Sequence, residues 1–247
     1  MSTSLALIAD IHGNAQALDA AITAIASHAP DGIVILGDLT LNGPRPAETM
    51  ARVMELDEAG ALVISGNTDI AVADGDYGAA FPWLDEVPDS QRVAAEWARD
   101  QLSDAQLGYL RRLPAERRVT IEETLVLACH GSPGSQTNGL PADLDAAVTV
   151  ERVTRTDARV ICCAHTHLAD VRELGRKLIV NPGSCGYAFD GTADACWALL
   201  SVDADGPSAR LMRASYDAQA AAAEVSMRGL PGDVYRAATI RTGRYVR

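Results

Sequence analysis

The sequence predicts an α/β protein, and two observations carry that reading. Short apolar runs rich in β-branched residues recur at Leu5 to Ala9, Ile33 to Leu36, Ala61 to Ser65, Leu125 to Cys129, Val160 to Ala164 and Leu178 to Val180. Runs this short suit buried strands better than helices. Segments of helical period stand between the first of them. After Asn14, Leu18, Ala21, Ile22 and Ile25 fall at i, i+3, i+4, i+7, and Met50, Val53, Met54 and Asp57 repeat the spacing within Pro46 to Glu58.

The alternation breaks over residues 75–118, where a helix–turn–helix is predicted. Asp89 or Ser90 is the expected cap of the first helix and Ser103 of the second, with Pro114 ending it. At about 40 residues this stretch is short for an independent core, so residues 1–247 are expected to form one domain with a helical insertion. Trp83, Trp97 and Tyr109 are expected to form the insertion's core. Beyond Ala193 the pattern gives strands at Cys196 to Val202 and Ala209 to Ala214, then an alanine-rich helix from Asp217 to Arg228.

Composition narrows the function. Of 247 residues, 48% are hydrophobic and 22% charged, and no apolar run is long enough to suggest a membrane span. A net charge of −12 disfavours long nucleic acids and anionic membranes, so an anionic substrate needs a local positive charge. Lys177 is the single lysine and has no glycine-rich loop near it, which excludes a Walker site. The five cysteines, Cys129, Cys162, Cys163, Cys185 and Cys196, form no C-x-x-C pair and no signal peptide is evident. They are expected to be buried, reduced thiols in a cytoplasmic protein.

The residues that carry chemistry stand at the ends of these runs. The first is followed by Asp10-Ile11-His12, the second by Gly37-Asp38 and the third by Gly66-Asn67-Thr68-Asp69. The fourth is followed by His130-Gly131 and the fifth by His165-Thr166-His167, so four of the five histidines lie at strand ends. Loops beyond the carboxyl ends of strands converge on ligands in open α/β sheets. No G-x-S-x-G supports a serine nucleophile. Four His, two Asp and one Asn are too many ligands for one ion and about right for two. They suit the divalent transition metals manganese, iron, zinc or nickel.

In this order, D-x-H, G-D, G-N-x-D, H-G and H-x-H resemble the calcineurin-like metallophosphoesterase superfamily, over residues 10–184. Asn181-Pro182-Gly183-Ser184 further resembles a turn of its small bacterial and archaeal phosphodiesterase branch. The resemblance implies a four-layer αββα sandwich of two mixed sheets. It also implies that Asp10, His12 and His167 hold one ion, Asn67, His130 and His165 the other, and that Asp38 bridges them. Two cations about 3.5–4 Å apart acidify a bridging water and clamp phosphate oxygens for in-line displacement.

One position departs from the pattern. Where many members have a histidine thought to protonate the leaving group, this chain has Thr68, a poor proton donor near neutral pH. A preference for activated esters or anhydrides is therefore expected. Asp69 orients a ligand or forms a turn with Asn67. Arg45 is the candidate phosphate-binding arginine, and Asn14 contacts substrate or caps the following helix. The expected activity is hydrolysis of a small phosphorylated substrate, a phosphodiester or nucleotide-type ester, with the insertion as a cap beside the site. A protein phosphatase and a non-catalytic metal-binding scaffold are the alternatives, and a homo-oligomer is left open.

Overall fold

Two mixed five-stranded sheets lie face to face with helices on both outer sides, in a computed structural model that describes residues 2–247. β1 (Thr3–Ile8) leads through α1 (Ala15–Ala26) to β2 (Gly32–Ile35), and α2 (Pro46–Glu58) leads on to β3 (Leu62–Val63). These three strands are parallel. Four helices come next: α3 (Asn67–Asp74), α4 (Tyr77–Ala80), α5 (Asp89–Gln101) and α6 (Asp104–Arg112). The second sheet opens with β4 (Glu116–Ile121) and β5 (Thr124–Cys129). It continues through α7 (Ala146–Val153), β6 (Val160–Cys162), β7 (Asp170–Leu174) and β8 (Lys177–Asn181). Its order is β4-β5-β6-β8-β7, parallel in the middle and antiparallel at both edges. The chain then returns to the first sheet with the hairpin β9 (Ala195–Asp203) and β10 (Gly206–Ala214), giving β10-β9-β1-β2-β3. It closes with α8 (Ala218–Arg228) and α9 (Asp233–Thr242).

The two-residue period of a strand builds the layers. Leu7, Val34 and Leu36 point inward and meet Val126, Val160, Cys162 and Val180 of the second sheet. Ala6, Ile8 and Ile35 point the other way, onto Leu18, Ile25, Met50 and Val53 of α1 and α2. On the far side, Leu127, Cys129, Ile161 and Ile179 lie against Val153 of α7. Strands buried on both faces need apolar residues at every position, hence the unbroken runs. All five cysteines are buried and unpaired.

Several expectations change. The helical stretch begins at Asn67 and ends at Arg112, because the chain enters α3 directly at Gly66 and residues 116–121 form an edge strand. Ser103 does cap α6, but α5 is entered from Pro88 with no side-chain cap. The insertion has no core of its own, since Ala94, Ala95, Ala98 and Leu110 share one cluster with Leu18 and Met50. Trp83 is exposed rather than part of a core. The pattern also missed β4, β7, α3, α7 and α9. Among the described residues, no helix is long and apolar enough to cross a membrane.

Candidate metal centre

The three first-sheet strands and β5 and β6 of the second end on the same side, so the loops after them meet. The meeting is made by tightly turned backbone. Asp10, His12, Asp38, His165 and His167 all have positive φ, between 51° and 70°, a region that costs a non-glycine residue about 1–3 kcal/mol. Five of the eight such non-glycine residues among those described are therefore predicted ligands. Gly66 is needed for a different reason: a Cβ there would overlap the Asp38 carboxylate. One at Gly37 would overlap the Gly66 backbone. The G-D and G-N blocks are two loops pressed against each other.

The geometry brings all seven predicted ligands together. His12 Nε2 lies 3.2 Å from His167 Nε2 and 3.6 Å from Asp38 Oδ2, and His167 Nε2 lies 3.6 Å from Asp10 Oδ1. His130 Nε2 lies 3.4 Å from Asp38 Oδ1 and 3.2 Å from Asn67 Oδ1, which is itself 2.9 Å from His165 Nδ1. The donors fall into two groups, Asp10, His12, Asp38 and His167, and Asp38, His130 and His165, with Asp38 common to both. One Asp38 oxygen faces each group.

Neighbouring groups aim the ligands. Nδ1 of His12, His130 and His167 donates to the carbonyls of Leu41, Leu36 and Tyr187, which leaves each Nε2 lone pair for a metal. Asn67 Nδ2 donates to the Ala80 carbonyl of α4, turning Oδ1 inward. Asp69 accepts from the backbone N–H groups of Asp38, Leu39 and Gly66 at 2.8–2.9 Å, which ties the Asp38 loop to the start of α3. Ser184 of the N-P-G-S turn donates to the Asp10 carbonyl, and Asn181 donates to the Ala164 carbonyl just before His165.

Electrostatics favour bound cations. Burial holds His12 and His167 below the usual imidazole range, and burial with neighbouring His130 takes His165 down to about 4. These rings are neutral, the form that ligates. Burial opposes charge on His130 as well, but the Asp38 and Asp10 carboxylates outweigh it and push the ring up to about 10. The two carboxylates thus demand positive charge at this spot. Asp10 Oδ1 is buried with no hydrogen-bond partner, an oxygen that a metal ion would satisfy.

The cluster floors a cavity of about 380 Å³. Thr68 lines it, with its N–H donating to Asp38 Oδ1 and its buried hydroxyl unpartnered. The two predicted substrate contacts are not brought to the cavity. Arg45 makes a two-pronged pair with Glu224, at 2.6 and 2.7 Å, and reaches Glu48. Asn14 is fully buried: its Oδ1 caps α1 through Ala17 N–H, and its Nδ2 donates to the Gly186 carbonyl and the Tyr216 hydroxyl. Tyr235, Arg236, Tyr245 and Arg247, none of them foreseen, line the cavity instead. No periodic signal marks them, because they reach it only when α8 and α9 fold back. Arg228 and Arg236 hold that fold-back through the carbonyls of Asn42, Gly43 and Ser90, and share the buried Asp233 carboxylate. Arg228 also stacks on Trp97 of α5 at 4.5 Å.

A sandwich of two mixed sheets with a shared-carboxylate cluster at the strand ends defines a metallophosphoesterase class of site. Residues 4–205 match the calcineurin-like phosphoesterase superfamily domain, and the chain belongs to that family. An uncharacterised protein of Methanocaldococcus jannaschii is 23% identical over 249 residues, covering 94% of this chain and 95% of that protein. A hypothetical protein from Pyrococcus horikoshii shares the fold with a TM-score of 0.82, at 22% identity over 98% of each chain. A metallophosphoesterase from Sphaerobacter thermophilus gives a TM-score of 0.74 at 25% identity, covering 98% of this chain and 99% of that one.

Proposed function

We propose that the protein hydrolyses phosphodiesters or nucleotide-type phosphoesters of small molecules, with two divalent ions of manganese, iron, zinc or nickel bound. The observation that supports this most directly is the division of the donors into two groups that share Asp38. Asp10, His12, Asp38 and His167 would hold one ion, and Asp38, Asn67, His130 and His165 the other. When bound, such ions polarise phosphoryl oxygens and lower the pKa of a water.

The chain's own residues do the remaining work. Asp38, held at one oxygen by the Thr68 N–H, keeps the two groups in fixed register. The carbonyls behind His12, His130 and His167 prevent ring rotation, so the donors keep their directions before substrate arrives. Thr68 occupies the place where an imidazole acid would act, so esters and anhydrides whose leaving groups need no proton are the favoured substrates. A cavity of about 380 Å³ is of small-molecule size, which disfavours a phosphoprotein surface as substrate.

The test is hydrolysis by protein loaded in turn with each metal, using bis-p-nitrophenyl phosphate as diester and p-nitrophenyl phosphate as monoester. Turnover of the diester in excess of the monoester, abolished in Asp38→Ala, is the expected result. Full metal loading without hydrolysis of either ester would overturn this reading in favour of a binding scaffold.

A further inference from the structure

Aromatic side chains are scarce in this chain, at 4% of residues, yet six of its eleven Trp, Tyr and Phe residues line the one cavity over the metal centre. They are Phe81, Trp83, Tyr187, Phe189, Tyr235 and Tyr245. They come from two separate parts of the chain and flank two different histidines. Trp83, from the loop after α4, stands edge-on to His165 with ring centres 5.8 Å apart. Phe189 stacks on His167 at 4.2 Å, and Tyr245 lies against Phe189 at 5.0 Å.

Phe81, Tyr187 and Phe189 have work within the fold: Phe81 belongs to the buried core, and Tyr187 and Phe189 lie against the His12 and His167 rings. Trp83, Tyr235 and Tyr245 do not share that explanation, since they are 54%, 49% and 58% exposed at the cavity mouth. Apolar faces left in water at a concave site are the usual mark of a ligand surface. The polar lining has its own bias. Asp38 is the single carboxylate side chain there, in a chain of net charge −12, while the Arg247 guanidinium adds a cation. Asn42 and Gln91 add side-chain amides, which offer both donors and acceptors.

We propose that this mouth is a subsite for a planar aromatic group carried by the substrate, a nucleobase attached through its sugar to the scissile phosphate, stacked on Trp83. Tyr235 and Tyr245 form the facing wall and Arg247 answers charge on the phosphate chain. The assignment rests on the phosphoesterase reading above and narrows its substrate class. A π-face accepts any base, so the subsite selects for a base without selecting strongly among bases. α9 belongs to the specificity apparatus under this assignment, because Arg236 joins it to the Ser90 carbonyl of α5 on the other side of the cavity.

Two substrates with the same scissile bond and leaving group test it: the p-nitrophenyl ester of thymidine 5′-phosphate and ethyl p-nitrophenyl phosphate. The metal-loaded protein is expected to show the lower KM for the nucleoside ester. Trp83→Ala should raise that KM roughly tenfold more than it raises the ethyl-ester KM, in the range measured for base–aromatic stacking. Trp83→Phe should retain most of the preference. Equal KM values for the two esters in the wild type, or an equal rise for both in Trp83→Ala, would overturn the subsite. If neither ester is hydrolysed, the activity reading fails and the subsite is read by calorimetry of AMP against inorganic phosphate. A roughly tenfold weaker Kd for AMP alone in Trp83→Ala then supports it, and an unchanged Kd overturns it.

Discussion

Replacing Asp69 with asparagine isolates the cost of organising the ligand loops, because it removes charge without removing volume. The buried Asp69 carboxylate accepts three backbone N–H groups, with Oδ2 serving Asp38 and Gly66 and Oδ1 serving Leu39. An asparagine has one acceptor oxygen. In its best orientation that oxygen keeps the first two bonds and turns an NH₂ group toward the Leu39 N–H. One buried donor left unsatisfied costs about 1–3 kcal/mol, and losing the charge from the other two bonds adds about 1 kcal/mol. A total of about 3 kcal/mol converts to a Tm lower by roughly 6–12 °C for a domain of this size. Burial, then Asp38, push the Asp69 carboxyl up to about 7 against the pull of its N–H donors. Calorimetry of the two metal-free proteins at pH 8, where the wild-type carboxylate is ionised, reads this difference. The gap should widen as pH falls through about 7 toward the ordinary carboxylate range, because a carboxyl whose pKa is raised by folding takes up its proton first in the folded state and stabilises it. Metal affinity of the Asp69→Asn variant should also fall about 10–100-fold, as for other groups that orient ligands. A Tm change under about 2 °C with unchanged affinity would refute the reasoning.

Three further outcomes are expected from the same geometry. Asp38→Ala should lose both metal content, by elemental analysis, and activity, since both donor groups contain Asp38; turnover in a stripped and refilled variant would count against two sites. Chelation should lower the Tm of the metal-loaded wild type by roughly 5–10 °C per ion held at about a hundred times its Kd, and an unmoved transition in calorimetry would mean that the cluster binds no stabilising ion. Rates across a series of aryl diesters should fall steeply as leaving-group pKa rises, because Thr68 supplies no ready proton; a flat dependence would reveal an acid elsewhere.

How much was legible depends on whether a residue's role is local. Asp10, His12, Asp38, Asn67, His130, His165 and His167 each end or come just after an apolar run, so strand and ligand appear together in the sequence. The layers were likewise readable, because strands buried on both faces are unbroken in pattern. The edge strands of the second sheet were not: β4, with Arg117 and Arg118 exposed, and β7 bury too little to leave a clear alternation. Arg45 was misread because its real partner, Glu224, lies 179 residues away and no short-range pattern announces the pair. Asn14 showed the reverse case, where the cap written into the local sequence was the true role. The C-terminal wall was invisible for the same reason as Glu224. Arg228, Asp233 and Arg236 read as an ordinary charged helix turn until α9 is placed over the Asn42 loop.

The two donor groups have one more property, which concerns time rather than affinity. Each draws on both sheets: Asp10, His12 and Asp38 come after strands of the first, while His130, His165 and His167 come after strands of the second. A cation held in either group therefore rivets the sandwich across its apolar seam. The sheets cannot part while both ends of that rivet hold, and an ion cannot escape by the loosening of one loop alone. Loaded protein should consequently persist through long incubation in denaturant or protease, with a lifetime set by the rare opening of the whole seam.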